Sequence, residues 1–288
     1  MAEASQATRP TRRRLLRALG VGLGLPALAG IYSWQIEPFW PEFHEFSMAV
    51  AGLSAKFDGY RVAHLSDLHV STDVPYSYLV AVVDSVNRRA PDVVVVTGDL
   101  VSHGSGLPDH ACRLLARLRA PTLVSFGNHD YGKLGAKIDV APVLEAGLRA
   151  KGITVLRNSA TAVSRGDARL WFVGLEDLWS GRFSPAAAFA RVGRSAGEPV
   201  IAMSHNPDTA PALESYGADW ILAGHTHGGQ VRLPGWGAIM LPVQNRQWQQ
   251  GLYQLRGCRM YVSRGVGYLL ASRFACRPEV PIFTLRSA

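Results

Sequence analysis

Eight residues of this chain have the types and surroundings that hold divalent metal ions and work beside them: Asp67, His69, Asp99, Asn128, His129, His205, His225 and His227. They include five of the nine histidines. Carboxylates, imidazoles and one amide suit Mn, Fe, Zn or a similar ion. No thiolate joins them, which argues against a closed structural zinc site. Without His129 the set is larger than one tetrahedral ion needs and matches two ions that share a bridge. Two such ions roughly 3.5–4 Å apart acidify a shared water and stabilise attacking and leaving oxygens, so metal-assisted hydrolysis is the chemistry expected. Taken singly the pieces are weak, because Asp-x-His is frequent in surface turns and a Gly-Asp after a strand often starts a helix. Their recurrence at five places carries the reading. His44, His64, His103 and His110 receive no site role, and His64, inside an apolar run, is expected to be a packed or surface residue.

The elements that must position these residues are short and apolar. Tyr60 to Leu65 reads as a strand ending in Ser66-Asp67-Leu68-His69. Val93-Val94-Val95-Val96 reads as a strand buried on both faces, ending in Thr97-Gly98-Asp99. Pro121 to Phe126 ends in Gly127-Asn128-His129-Asp130, Pro199 to Ser204 ends at His205, and Trp220 to Ala223 ends in Gly224-His225-Thr226-His227. Helical spacing lies between them, at 76–89, 109–118, 138–151 and 207–216. Further short strands are expected near 153–156, 160–164, 169–174, 259–264 and 281–285. Strands alternating with helices predict an α/β layered domain. Every polar motif follows a strand, and the carboxyl ends of strands are where α/β sheets bind ligands. Alternate residues on an extended segment face one way, so Asp67 and His69 are expected side by side, and His225 and His227 likewise. Gly98 and Gly224 are expected to permit the tight turns before the ligands.

The chain has 288 residues, is 48% hydrophobic and shows no solenoid repeat, which excludes a disordered or arrayed protein. Its net charge of +8 raises the question of nucleic acid, but the excess has two sources. Residues 1–17 hold five arginines against Glu3, a net of +4; residues 30–226 hold 17 basic and 20 acidic residues, a net of −3; residues 227–288 hold eight arginines against Glu279, a net of +7. Thr11-Arg12-Arg13-Arg14-Leu15-Leu16-Arg17 resembles a twin-arginine export signal. The uncharged run from Ala18 to Ile36 follows it, and Ala27-Leu28-Ala29 offers a small-x-small cleavage site. The rival reading is an uncleaved anchor; the run barely reaches the length of about 20 residues a span needs and Pro26 interrupts it, which favours cleavage. Residues 1–29 are therefore read as signal, 30–57 as a lead-in, and 58–288 as one domain, exported to the periplasm, cell envelope or extracytoplasmic face of the membrane. Cys112, Cys258 and Cys276 are too few for a disulfide scaffold; Cys258 and Cys276 are left as an open pairing, with buried thiols as the default.

In this order, Asp-x-His, Gly-Asp, Gly-Asn-His-Asp, His and Gly-His-x-His, the motifs resemble the calcineurin-like metallophosphoesterase family, from about residue 58 to the C-terminus. Ser204-His205-Asn206-Pro207-Asp208, the stretch Gly224 to Pro234 and Tyr261-Val262-Ser263-Arg264-Gly265-Val266-Gly267 resemble its YaeI/YkuE-like phosphodiesterase branch, many of whose members carry twin-arginine signals or N-terminal anchors. The resemblance implies a four-layer α/β/β/α sandwich, two mixed sheets flanked by helices. It implies that one ion takes Asp67, His69 and His227, that the other takes Asn128, His205 and His225, and that Asp99 and a solvent hydroxide bridge them. The hydroxide would attack phosphorus in line. His129, next to a ligand, would protonate the leaving oxygen or stabilise developing charge. Tyr131, Arg232 and Arg264 are candidates to hold phosphate oxygens, arginine by its planar fork. Two departures stand out: Ser102 occupies a position where many relatives have an Asp that orients the general acid, leaving Asp130 or Ser102 for that task, and Val70-Ser71 follows His69 where a Gly is common.

The reading is a phosphoric ester hydrolase of phosphodiesterase type with two divalent ions. Its partners would be a small or lipid phosphate ester and the export machinery, with a membrane surface as a further contact, and the chain is expected to be a monomer. A pyrophosphatase acting on a nucleotide-linked lipid sugar is the first alternative, to which exposed Trp236 and Trp248 and the basic C-terminal third would be suited. A nuclease is the second, but no interleaved basic and aromatic groove pattern is present. A metal-binding module without catalysis is the third, and the complete ligand set argues against it.

Overall fold

The computed structural model describes residue 24 and residues 26–102, 107–132, 139–193 and 197–288. The twin-arginine motif and His103 lie outside the described residues. The first half of the chain runs β1 (Glu42–Val50), β2 (Arg61–Leu65), α1 (Tyr76–Arg88), β3 (Val93–Thr97), α2 (Pro108–Leu115), β4 (Thr122–Ser125), α3 (Ala141–Arg149) and β5 (Thr154–Val155). The second half runs β6 (Ser159–Arg165), β7 (Ala168–Gly174), α4 (Pro185–Phe189), β8 (Val200–Met203), α5 (Ala210–Ser215), β9 (Trp220–Ala223), β10 (Arg232–Leu233), β11 (Gly237–Ala238), β12 (Gly251–Gln254), β13 (Arg259–Val262) and β14 (Glu279–Ser287).

These strands build two six-stranded sheets, in the orders β1-β14-β2-β3-β4-β5 and β12-β13-β9-β8-β7-β6. Strands β2 to β5 are mutually parallel, as are β7, β8, β9 and β13, so their carboxyl ends share a side within each sheet. Each sheet is mixed: β14 runs antiparallel to β2, and β6 and β12 run antiparallel to their neighbours.

Side-chain alternation sorts the core into three slabs, because successive residues of a strand point to opposite faces. Val93 and Val95 of β3, Ile201 and Met203 of β8 and Trp220 and Leu222 of β9 meet between the sheets. Val94 and Val96 face the other way, onto Leu79, Val82, Val83 and Val86 of α1 and Leu114 and Leu144 of α2 and α3. Val200, Ala202, Ile221 and Ala223 face Ala188 of α4 and Ala210 and Leu213 of α5. The result is the four-layer α/β/β/α sandwich. The apolar residues of α1 recur at spacings of three and four, the stripe a helix needs to lie on a sheet. Each fully buried Val or Leu contributes about 1.5–3 kcal/mol by leaving water.

Two expectations need correction, and the open cysteine pairing is answered in favour of buried thiols. The segment read as a lead-in is part of the domain: β1 pairs along its whole length with β14, Glu42 opposite Glu279 through Val50 opposite Ser287. Its pattern, EFHEFSMAV, is only partly apolar because one face of this edge strand meets solvent. Cys258 and Cys276 do not pair; all three cysteines are free and buried, Cys258 in the outer core of the second sheet and Cys276 with its Sγ 3.2 Å from the carbonyl of His227. Trp236 is exposed as expected, but Trp248 is half-buried against the second sheet's outer core. Among the described residues no helix is long and apolar enough to cross a membrane.

Candidate metal centre

The loops leaving β2, β3, β4, β8 and β9 converge between the two sheets. Backbone bonds stitch them together: Asp67 N donates to Gly98 O (3.1 Å), His69 N to Asp99 O (3.0 Å), Gly224 N to His205 O (3.0 Å) and Gly267 N to Asp67 O (2.7 Å). At Gly98, with φ +87, a Cβ would run into the backbone of Gly127, and at Gly224 one would collide with Ser66 Oγ and Asp67 Oδ2. Both glycines let neighbouring loops touch, as their position before the ligands suggested.

The seven candidate ligands are all buried. Among the described residues, three groups place ligand atoms within 4.8 Å of one another: Asp67, His69 and His227; Asp99, His205 and His225; and His69, Asp99 and His129. In the first, His69 Nε2 lies 3.0 Å from His227 Nε2, and His227 Nε2 lies 3.3 Å from Asp67 Oδ1. In the second, His205 Nε2 lies 3.1 Å from Asp99 Oδ2 and 3.2 Å from His225 Nδ1. Asp99 Oδ2 also lies 3.7 Å from His69 Nε2 and 3.9 Å from His129 Nε2. One carboxylate oxygen therefore touches both groups, the geometry of a bridge.

Outer partners aim the rings. His205 Nδ1 donates to Thr97 O (2.8 Å) and His225 Nε2 to Pro242 O (2.8 Å), so each ring turns its other nitrogen inward toward the cluster. Asp99 Oδ1 accepts His129 N (2.9 Å), which leaves Oδ2 for the cluster. Asn128 Oδ1 is buried with no hydrogen-bond partner among the described residues. A buried acceptor without a donor is costly, and a cation would satisfy it. The donor set and this orphaned oxygen fit two divalent ions.

The electrostatics show the same crowding. Burial pushes the Asp67 carboxyl up to about 6, against the opposing charge of His205. Burial acts to raise Asp99 too, but the imidazoles of His205, His129 and His69 outweigh it and hold this carboxyl well below its usual range. His205 is the converse: burial would lower it, and Asp99 and Asp67 lift it to about 10. Burial, reinforced by the charge of His205, drops His225 to about 3, and burial with the neighbouring His69 drops His227 well below its ordinary value. Burial also lowers His129, against the pull of Asp99.

The family model described as calcineurin-like phosphoesterase matches residues 60–229, which span all these loops. The chain belongs to this family. It is 33% identical over 278 residues to the phosphodiesterase YaeI of Escherichia coli, covering 96% of this chain and 99% of that one. It is 31% identical over 287 residues to the metallophosphoesterase YkuE of Bacillus subtilis, covering 96% and 98%. It is 25% identical over 309 residues to the UDP-2,3-diacylglucosamine pyrophosphatase LpxG of Chlamydia trachomatis, covering 90% and 93%. The protein is a metal-dependent calcineurin-like phosphoesterase, a hydrolase of phosphate esters.

The phosphoesterase also departs from expectation. Asp67 and His69 do not alternate along an extended segment; both have positive φ, 54° and 48°, and it is two left-handed turns that bring them together. His225 and His227, also left-handed, face different groups rather than one. The three candidate phosphate holders have their polar heads engaged. Tyr131 Oη donates to Glu176 Oε1 (3.1 Å), Arg232 Nη1 to Gly228 O and Gln249 Oε1 (both 2.9 Å), and Arg264 Nη2 sits 2.7 Å from Glu42 and 2.8 Å from Glu279. Long flexible side chains find partners that strand-end placement does not reveal.

Asp130 has a different task from orienting His129. Its Oδ1 accepts the amides of Leu100 (3.0 Å) and Val101 (3.2 Å), and its Oδ2 accepts that of Gly127 (2.9 Å), so it staples the β3 and β4 loops. Ser102 Oγ donates to His69 O (3.4 Å). His64 is fully buried, its Nε2 2.8 Å from Thr97 Oγ1. Sequence reasoning missed Asp177, buried just after β7, where burial pushes the carboxyl up to about 6 while His205 opposes. It missed Trp179, whose ring stands edge-on 4.5 Å from that of His225. Both follow an apolar strand, the same signal that found the candidate ligands.

Proposed function

We propose that this phosphoesterase cleaves a phosphodiester with two divalent ions, one held by Asp67, His69 and His227 and the other by Asn128, His205 and His225, with Asp99 bridging. The observation that carries the reading is the single Asp99 Oδ2 within reach of both imidazole groups. When bound, such ions acidify water and neutralise charge on the phosphoryl group. The chain supplies the rest. Thr97 O and Pro242 O hold the His205 and His225 rings in fixed tautomers, and Asp99 Oδ1 pins the His129 amide. His129 Nε2, on the rim of the Asp99 group, is placed to give a proton to the leaving oxygen or to hold charge that develops there. The buried walls keep bulk water out and strengthen each of these interactions.

The name of YaeI supports diester cleavage, and that of LpxG supports a second reading, a lipid-linked pyrophosphate. The Thr11–Arg17 motif and the uncharged run behind it support export through the twin-arginine route, with residues 1–29 as signal. The test is Asp99→Asn, which keeps the shape and the amide bond. Hydrolysis of bis-p-nitrophenyl phosphate should be abolished, the circular dichroism spectrum unchanged, and bound metal reduced by elemental analysis. Retained turnover would remove Asp99 from the bridge.

A further inference from the structure

The loop that carries His227 continues directly into an exposed apolar platform. Leu233, Trp236, Ile239 and Met240, on and just after the β10–β11 hairpin, point to solvent, Trp236 at 89% and Met240 at 72% exposure. Leu269 and Leu270 lie exposed on a second loop, and Gln230 locks the two pieces together. Its Nε2 donates to Leu270 O (2.9 Å) and Ser272 O (3.0 Å), and its Oε1 accepts Leu269 N (2.8 Å). A third piece is the helical segment 30–36, which exposes Ile31, Trp34 and Ile36. Ser33 O accepts Arg273 N (2.8 Å), and Ser33 Oγ lies 2.6 Å from Ser272 Oγ. Arg232 Nη1, bonded to Gly228 O, fixes the hairpin to the turn after His227.

We propose that this platform docks on the surface of an anionic phospholipid bilayer. Exposed apolar clusters of this kind mark interaction surfaces. Three features select lipid. Residues 30–36, uncharged and downstream of the proposed signal, join the domain at this platform and add the exposed Ile31 and Trp34 to it. Exposed tryptophans at 34 and 236 favour the membrane interface, where an apolar ring meets polar headgroups. Residues 220–278 contain no Asp or Glu but include Arg232 and the exposed Arg246, a charge pattern drawn to anionic headgroups. Docking would set the metal centre's loops at headgroup height, where a lipid phosphate is presented.

The full-length protein is pelleted with vesicles of phosphatidylcholine and phosphatidylglycerol, and with phosphatidylcholine alone. Wild type should bind more tightly when phosphatidylglycerol is present. Ile239→Ser/Met240→Ser should lower partitioning about tenfold. Brominated lipids should quench Trp236→Phe less than wild type. Both variants should hydrolyse a soluble diester at the wild-type rate, so vesicle binding is read separately from catalysis. Partitioning by the double variant equal to wild type, or unchanged quenching in Trp236→Phe, would assign membrane binding to the N-terminal run alone and overturn the proposal. A variant that turns a dimer into a monomer in sedimentation, with no vesicle binding by wild type, would make a second copy the occupant and overturn it as well.

Discussion

Asp67, His69, Asp99, His225 and His227 all take left-handed backbones, with φ between 48° and 71°. Each such non-glycine residue costs on the order of 1–3 kcal/mol and persists only where its surroundings leave no choice. Here the surroundings are the loop-to-loop amide bonds, so the ligands are held before any ion arrives. The residue types were legible in the sequence; their conformation was not, because nothing local distinguishes an Asp in a strand from one in a left-handed turn. His129 is the residue whose role rests most on its own geometry. In His129→Ala, kcat should fall by about a hundredfold or more while elemental analysis finds both metals; loss of metal would make His129 a ligand. His64 tests burial alone. Folded, it stays neutral down to about pH 3 because burial disfavours its charged form. Unfolded, it takes up a proton near its ordinary value, so acid favours the unfolded chain. Stability should therefore fall by about 1.4 kcal/mol per pH unit from this residue as pH drops below about 6. Denaturant titrations of His64→Gln should show a shallower slope over that window.

At the scale of elements, strands and helices were readable because each strand is a short apolar run whose alternate residues serve two core slabs, and each helix carries one apolar stripe. Val93 to Val96 is the clearest case, with all four residues buried. The edge was not readable. β1 alternates charged and apolar residues around His44, and its partner is the C-terminal strand, so no local pattern announces the pairing. The loops depend on close approach more than on side-chain chemistry. Gly224→Ala would press a methyl into Ser66 and Asp67, at a cost of about 1–3 kcal/mol. Its far-UV spectrum should stay native while metal content and diester hydrolysis both fall; full metal occupancy would show that the loop can yield.

Over the whole molecule, the surplus of arginines in the last quarter turned out to have structural work as well as surface work. Arg264 and Arg277 pair with Glu42, and Arg273 is fully buried among the carbonyls of Arg264, Gly265, Gly267 and Cys276. The charge count suggested a basic face suited to an anionic lipid-linked substrate, and long-range pairing, invisible to a count, drew several of these groups inward. The same pairing governs how the molecule is made. β14 lies between β1 and β2, so a strand synthesised more than 200 residues later separates two that are synthesised early. A nascent chain that ends at residue 278 leaves both neighbours with an open edge, an invitation to aggregation. The first sheet can therefore close only after residues 279–287 have left the ribosome, and a chain terminated before them keeps two unpaired strand edges.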